Sequence, residues 1–218
     1  MNLDDRECNS AGILVSFSDG KHDYEYFYNV LEQFKRKYCN KCVSLLSPHE
    51  TIDMISRLSG NKGRPNRPTG LPMAIPLIKE ILSDNIHPKL IPVIHIDREH
   101  LRDYNGREYE RICKSAGSIG LNCEFKEYLV QDKILVFNFK LNDRDKKVYF
   151  VLVGNYLCLE DEILASLGQD LEEPSRKETC DKYYNIYKQK RREIEERRAE
   201  INEKLFEKLF APIFDDLD

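Results

Sequence analysis

A tight acidic turn between a strand pattern and a helix pattern constrains this chain more than any other feature. The apolar run over residues 13–17 predicts a buried strand, and the apolar spacing over residues 23–38 predicts an amphipathic helix. Between them, residues 19–23 read Asp-Gly-Lys-His-Asp and carry two carboxylates and a lysine. Open α/β sheets bind their ligands outside the carboxyl ends of the strands. The pattern therefore predicts an α/β fold with its chemistry at this turn.

A second strand pattern also ends in acidic residues. Residues 90–96 form an apolar run, and Asp97 and Glu99 follow it. Because these two acids lie two positions apart, an extended backbone would direct both side chains to one face. Carboxylate oxygens are ligands that Mg²⁺ and Mn²⁺ prefer. Two acidic strand ends therefore predict a site for a hard metal ion.

Strand and helix patterns alternate through the first half of the chain. Further strand patterns lie at residues 43–46 and 90–96, and further helix patterns at residues 50–58, 72–84 and within 99–116. Alternation of this kind predicts a mostly parallel sheet with helices on both faces, in a three-layer, Rossmann-like arrangement.

The later part of the chain has a different pattern. A strand pattern at residues 125–130 is followed by two more, at residues 134–141 and 147–153, around a turn at residues 142–145. This spacing predicts a late β-hairpin. An acidic break that contains a proline follows at residues 168–175.

The chain is therefore expected to comprise an α/β domain over residues 1–170 and a charged helical extension over residues 171–218. The extension carries one long helix pattern, residues 178–210, which is nearly all charged between Lys188 and Arg198 and apolar at both ends. Charged pairs one turn apart support such a helix in water. Its apolar ends either bind a protein partner or a second copy of the chain, or pack on its own domain while the middle is solvated.

Composition limits the classes of function. The net charge is −4, so nucleic-acid binding would require a local basic patch. No apolar stretch approaches the roughly 20 residues that span a bilayer, and the first seven residues lack an apolar signal core. The seven cysteines are an odd number without a secretion signal. We therefore expect a cytoplasmic protein without membrane association and with reduced thiols.

Two of the cysteines are closely spaced. Cys39 and Cys42 have the spacing of half a zinc site or of a redox pair. The sequence offers no second such pair and no closely spaced histidines to complete a site. The simpler interpretation is favoured, in which one cysteine ends a helix and the other opens a strand.

A long polar segment separates the second and third predicted strands. Residues 60–70 contain three glycines, two prolines and three basic residues without apolar periodicity, which predicts a loop. Arg64 and Arg67 make it a candidate for phosphate contact. The alternative is a solvated connector.

The two acidic motifs resemble those of the Toprim fold, which is found in topoisomerases, bacterial primases and OLD-type nucleases. That family has a strand, an acidic residue followed by glycine, an aspartate three residues after the glycine, and a helix; a later strand ends in Asp-x-Asp. Residues 19–23 resemble the first motif and residues 97–99 the second, over about residues 12–130. Here Asp19 stands where the family carries glutamate, and Glu99 where it carries aspartate. Residues 154–164 are similar to a late acidic segment of some small stand-alone Toprim proteins.

This resemblance implies a Mg²⁺- or Mn²⁺-dependent phosphoryl-transfer enzyme, most simply a nuclease acting on DNA or RNA phosphodiesters. Asp97 and Glu99 would hold the metal, Asp23 would support them, and Asp19 would be a third metal ligand or the general acid/base. The cations expected to steady the phosphate are Lys21, Arg64 and Arg67.

Two weaker resemblances use the same region. Residues 14–23 resemble the loop of PP-loop ATP pyrophosphatases that cradles pyrophosphate, with Asp19 in place of a glycine. Ser16 and Ser18, with Thr69 and Asp97, resemble the metal site of von Willebrand A-type domains, with Ser16 in place of the first aspartate. The first implies an ATP-binding protein. The second implies a non-catalytic binding or scaffold module, which would work through the C-terminal helix.

A purely structural role for the acids is also open. An acidic residue after a strand often caps the next helix. Asp23 would then cap a helix that begins at Tyr24, and Asp97 would cap the helix that follows it.

Overall fold

The computed structural model describes residues 12–17, 20–34, 42–47, 49–53, 69–83, 90–104, 107–175 and 177–217. The strands are β1 Gly12–Phe17, β2 Cys42–Leu46, β3 Ile91–Asp97, β4 Asn122–Val130, β5 Ile134–Leu141 and β6 Arg144–Val153. The helices are α1 Lys21–Phe34, α2 Leu71–Ser83, α3 Glu108–Gly117, α4 Leu159–Ser166, α5 Asp181–Gln189, α6 Arg191–Glu196, α7 Arg198–Leu209 and α8 Ala211–Asp216, and a 3-10 helix covers Arg98–Tyr104.

The six strands form one sheet in the order β2-β1-β3-β6-β5-β4. The first four of these run parallel, and β5 and β4 are antiparallel to their neighbours. The hairpin of β5 and β6 turns at residues 142 and 143, where Asn142 has a φ of 54°. Asparagine tolerates this left-handed conformation better than most residues. The mostly parallel sheet and the late hairpin confirm the predicted fold class.

The strands send alternate side chains to two separate apolar clusters, as the pleat requires. Val15, Val93 and Val151 belong to one cluster, together with residues of α1, α4 and the C-terminal helices. Leu14 and Ile94 belong to the other, which α2 and α3 cover. The fold therefore has three layers, with helices on both faces of the sheet.

The C-terminal segment is a bent helix, in agreement with the long helix predicted there. Its helices α5, α6, α7 and α8 follow one another with single-residue breaks at Lys190, Arg197 and Phe210. These residues depart from helical backbone angles; Arg197, for example, has φ −109° and ψ 16°. The segment is therefore a bent helix and not one straight rod.

This bent helix packs on the α/β domain. Phe206 stacks on Phe34 of α1 with ring centroids 4.5 Å apart, and the Asn202 side chain donates a hydrogen bond to Gln33 at 2.8 Å. Its apolar residues belong to the same buried cluster as β1 and β6; they include Ile194, Ile201, Leu205, Phe206, Leu209 and Phe210. The apolar side chains expected at the ends of the helix therefore contact their own chain. The division of the chain into domains at residue 170 stays a prediction.

Among the residues that the structure describes, four cysteines form disulfides, whereas the sequence led us to expect reduced thiols. Cys113 pairs with Cys123, and Cys158 with Cys180, at Cα–Cα distances of 5.0 and 6.2 Å. Both distances lie in the range that a disulfide requires. The fold brings these pairs together across 10 and 22 residues of sequence. Cys42 is the first residue of β2, as predicted, and Cys39 lies outside the described residues.

No helix in the part of the chain that the structure describes is both long and apolar enough to cross a membrane.

Candidate metal centre at the carboxyl edge of the sheet

Asp97 and Glu99 come together where β3 ends. Asp97 is the last residue of that strand and only 8% exposed, and Glu99 lies in the first turn of the 3-10 helix. The backbone N–H of Glu99 donates to the carbonyl of Leu157 at 3.0 Å, which ties this turn to the loop after β6. One carboxylate oxygen of Asp97, one of Glu99 and the Sγ atom of Cys180 all lie within 4.8 Å of one another. The two acids of the second motif are thus close enough to act together.

The first motif is only partly described. Lys21 begins α1, is 85% exposed and forms an ion pair with Glu25 at 3.1 Å. Asp23 lies in the first turn of α1, two residues after its start, and so does not cap a helix that begins at Tyr24. The three other predicted site residues lie outside the described part of the chain; they are Asp19, Arg64 and Arg67.

Ser16 points away from the candidate site. It is buried, and its hydroxyl lies 3.2 Å from the hydroxyl of Thr51. It pairs in register with Ile94, whereas Asp97 shares the strand face of His95. The serine that the A-type resemblance requires therefore faces the opposite side of the sheet from Asp97.

The loop between β6 and α4 folds tightly against the site. Gly154 has a φ of 101°, and a Cβ atom there would lie 2.3 Å from the backbone nitrogen of Cys158, so this position requires glycine. The carboxylate of Asp161 accepts hydrogen bonds from the backbone N–H groups of Asn155, Tyr156, Leu157 and Cys158. Asp161 therefore fixes the loop that presents Cys158 and Glu160.

A second group of potential ligands adjoins the acid pair. The sulfur atoms of Cys158 and Cys180 and a carboxylate oxygen of Glu160 also lie within 4.8 Å of one another. Cys180 thus belongs to both groups. In the described ranges, these two are the groupings of three potential ligands that the fold assembles.

His22 of the first motif orients Glu160. Its Nδ1 atom lies 3.5 Å from the Oε1 atom of Glu160, and their side chains are 48% and 13% exposed. The hydrogen bond to Glu160 raises the pKa of His22, and burial opposes this rise. The imidazole therefore binds a proton more readily beside this carboxylate than a free imidazole does.

The side chain of Lys133 connects the loop after β6 to α4. Its ammonium group donates to the carbonyl of Gly154 at 2.7 Å and to the carboxylate of Glu162, which is fully buried. Lys208 of the bent helix donates to the other oxygen of Glu162. Burial lowers the pKa of Lys133 to about 8, although Glu162 opposes this shift. This buried ion pair holds the end of β6 to α4.

His95 lies on the same strand face as Asp97 but serves in packing. Its ring lies among those of Phe17, Phe27 and Phe210, at centroid distances of 5.0, 5.0 and 4.8 Å. Burial lowers the pKa of His95 to about 3. The imidazole is therefore neutral at ordinary pH and fills an aromatic cluster.

Sequence reasoning missed Cys158, Glu160 and Cys180. The similarity of residues 154–164 to a late acidic segment pointed to this region but selected none of its side chains. Cys180 lies at the start of the predicted helix over residues 178–210, where a lone cysteine gives no signal of its own. Only the fold places it against the carboxyl end of β3.

The chain matches no protein-family model, and neither the curated proteins nor the solved structures include a significant match to it.

Proposed function

We propose that this chain is a metal-dependent phosphoryl-transfer enzyme, most simply a nuclease that acts on DNA or RNA phosphodiesters. The observation that carries the proposal is the pair of carboxylates, Asp97 and Glu99, at the carboxyl edge of the parallel strands. Ligands of open α/β sheets bind at this edge. The buried position of Asp97 strengthens its electrostatic interaction with a cation, since the local dielectric is low.

The donor set fits Mg²⁺ or Mn²⁺. Oxygen ligands lie about 2.1 Å from Mg²⁺, so two of them on one ion are at most about 4.2 Å apart. The nearest oxygens of Asp97 and Glu99 are within 4.8 Å of each other. Small side-chain rotations would bring one oxygen of each carboxylate onto the same ion. When bound, such a cation offsets the charge that develops on a phosphodiester.

The chain's own acids would share the remaining tasks. Asp97 and Glu99 would hold the ion, and Asp23, in the first turn of α1, would support the site through its charge. Asp19 is proposed as a further ligand or as the general acid/base that moves a proton to or from the reacting oxygen.

Cations of the chain would bind the phosphate backbone. Lys21, exposed at the start of α1, is proposed as one contact. Arg64 and Arg67 are proposed as the others.

The test is cleavage of end-labelled single-stranded DNA, duplex DNA and RNA with Mg²⁺ or Mn²⁺. We expect cleavage by the wild-type protein and its loss, by at least about a hundredfold, in Asp97→Asn and Asp97→Ala. The matched control is Glu124→Gln, because Glu124 is an exposed carboxylate on β4 that pairs with Lys126 at 2.5 Å. Full cleavage by Asp97→Asn would refute the assignment of this site.

The same preparation separates the alternatives. A folded wild-type protein that cleaves none of the three substrates, yet is thermally stabilised by ATP, would favour the PP-loop interpretation. Metal-independent binding of a protein partner, lost when residues 178–218 are deleted, would favour a binding module.

A further inference from the structure

Two sulfur atoms and a carboxylate meet at the start of α4. Cys158 immediately precedes this helix and is almost fully buried, whereas Cys180 immediately precedes α5 and is partly exposed. Their sulfur atoms are joined as a disulfide, and a carboxylate oxygen of Glu160 lies within 4.8 Å of both. Three side chains from two separate segments therefore converge on one point.

From this arrangement we propose that Cys158, Cys180 and Glu160 form a Zn²⁺ site when the disulfide is reduced. Zinc lies about 2.3 Å from cysteine sulfur and about 2.1 Å from carboxylate oxygen, so neighbouring ligands in a tetrahedral site are about 3.5–3.8 Å apart. Two thiolates that separate to this distance leave Glu160 within reach of the same ion. Soft thiolate ligands select zinc over Mg²⁺, so the two thiolates set the metal preference of this site.

The surroundings supply a fourth ligand and an orienting contact. The sulfur of Cys180 also lies within 4.8 Å of carboxylate oxygens of Asp97 and Glu99, so either acid can complete the coordination. The Nδ1 atom of His22, in the first turn of α1, lies 3.5 Å from the Oε1 atom of Glu160. Side chains that orient a metal ligand in this way are a usual part of zinc sites.

Zinc binding follows reduction of the disulfide, and reoxidation reverses it. A trialkylphosphine reduces the disulfide to two thiols while one water supplies the oxygen of the phosphine oxide and both thiol protons. Binding of Zn²⁺ by the two thiols as thiolates then releases two protons to solvent. Oxidation of the thiols to the disulfide by a peroxide, which is reduced to two waters or to an alcohol and water, removes both sulfur ligands and releases the ion.

The chain contains its own control. Cys113 and Cys123 form the other described disulfide, with a Cα–Cα distance of 5.0 Å. In the described portion of the chain, neither belongs to a group of three potential metal ligands. Reduction of this second pair should therefore create no comparable site.

The experiment measures zinc bound to the full chain by equilibrium dialysis, before and after reduction with a trialkylphosphine. The reduced wild-type protein should bind one equivalent more than the Cys158→Ser/Cys180→Ser variant, and the Cys113→Ser/Cys123→Ser variant should match the wild type. Co²⁺ in place of Zn²⁺ should give a thiolate-to-metal charge-transfer absorption in the wild type and lose it in the first variant. Equal zinc and equal absorption in the two double variants would overturn the proposal.

If the Cys158→Ser/Cys180→Ser variant fails to fold, a milder substitution tests the same site. Glu160→Gln retains both thiols and should weaken zinc binding at least about tenfold, the loss seen when even a residue that only orients a ligand is removed. Glu172→Gln is the matched control, because Glu172 is 92% exposed beside Lys182. Unchanged zinc affinity in Glu160→Gln would also overturn the proposal. Both readouts are independent of phosphodiester cleavage, so the two proposals can fail separately.

Discussion

The Nδ1 atom of His22 lies 3.5 Å from the Oε1 atom of Glu160, and this contact joins the first turn of α1 to the first turn of α4. The two helices follow different strands, β1 and β6, which are separated in the sheet by β3. The contact therefore links helices that follow the two neighbours of β3, the strand that ends at Asp97.

Replacing Glu160 with glutamine should lower the pKa of His22. The hydrogen bond to Glu160 is the largest cause of the raised pKa of His22. A histidine whose pKa is raised on folding contributes stability below its unfolded pKa, and that contribution is lost as the pH rises through the folded value. An NMR titration of the imidazole without added metal measures the shift. Glu25→Gln should have a smaller effect, since the charge of Glu25 raises this pKa less than Glu160 does. A pKa of His22 that Glu160→Gln leaves unchanged would contradict the pairing.

Replacing His95 with phenylalanine should remove part of the acid sensitivity of folding. Burial lowers the pKa of His95 to about 3, so the unfolded chain binds this proton more readily. Stability is then lost as the pH falls below the unfolded value of about 6.5, by about 2 kcal/mol between pH 7 and pH 5. Urea unfolding of both proteins at the two pH values gives the difference. The free energy of unfolding at pH 7 is the internal control for each protein. An identical loss of stability between pH 7 and pH 5 in His95→Phe would show that another group causes this loss.

Removal of the buried Glu162 carboxylate should destabilise the protein strongly. Glu162 is fully buried and accepts hydrogen bonds from Lys133 and Lys208. Breaking such a pair leaves an uncompensated buried charge, so Glu162→Gln should cost about 3 kcal/mol or more. The double variant Glu162→Gln/Lys133→Met should recover part of this loss. A double-mutant cycle by urea unfolding measures the coupling, and strictly additive losses would show that the pair does not interact.

The end of the bent helix is anchored to the sheet by one carboxylate. Asp216 accepts hydrogen bonds from the hydroxyl of Tyr149 and the ammonium group of Lys147, each at 2.5 Å. Asp216→Ala should cost about 1–2 kcal/mol, and Asp215→Ala, at the exposed neighbouring position, should cost less than about 0.5 kcal/mol. Thermal unfolding compares the two.

This anchor also has a defined pH dependence. Burial would raise the pKa of Asp216, but Lys147 and Tyr149 outweigh it and lower the pKa. A carboxyl whose pKa is lowered on folding contributes stability above its unfolded pKa, and that contribution is lost as the pH falls through the folded value. The difference between wild type and Asp216→Ala should therefore shrink in acid. A difference that grows in acid would exclude this anchor.

The elements that could be predicted are those whose signals are local. Apolar runs and helical spacing lie within single segments, which is why β1, α1, α2 and β3 agree with the predicted elements to within a few residues. The sequence predicted that Asp97 and Glu99 would lie close together on an extended backbone, whereas in the structure Glu99 approaches Asp97 from the first turn of a 3-10 helix. The outcome for Asp19, Arg64 and Arg67 stays open, because these residues lie outside the described chain.

The contacts that could not be predicted join segments distant in sequence. The pairing of Cys158 with Cys180, the burial of Glu162 between Lys133 and Lys208, and the docking of the bent helix on α1 all depend on where the chain returns to the sheet. No pattern within one segment predicts these contacts, because they form when whole apolar faces of helices and sheet pack together. The sequence by itself determined an α/β chain with acids at a strand end. Only the tertiary structure decided that two cysteines and Glu160 lie beside those acids, since packing of the helices against one face of the sheet brings them there.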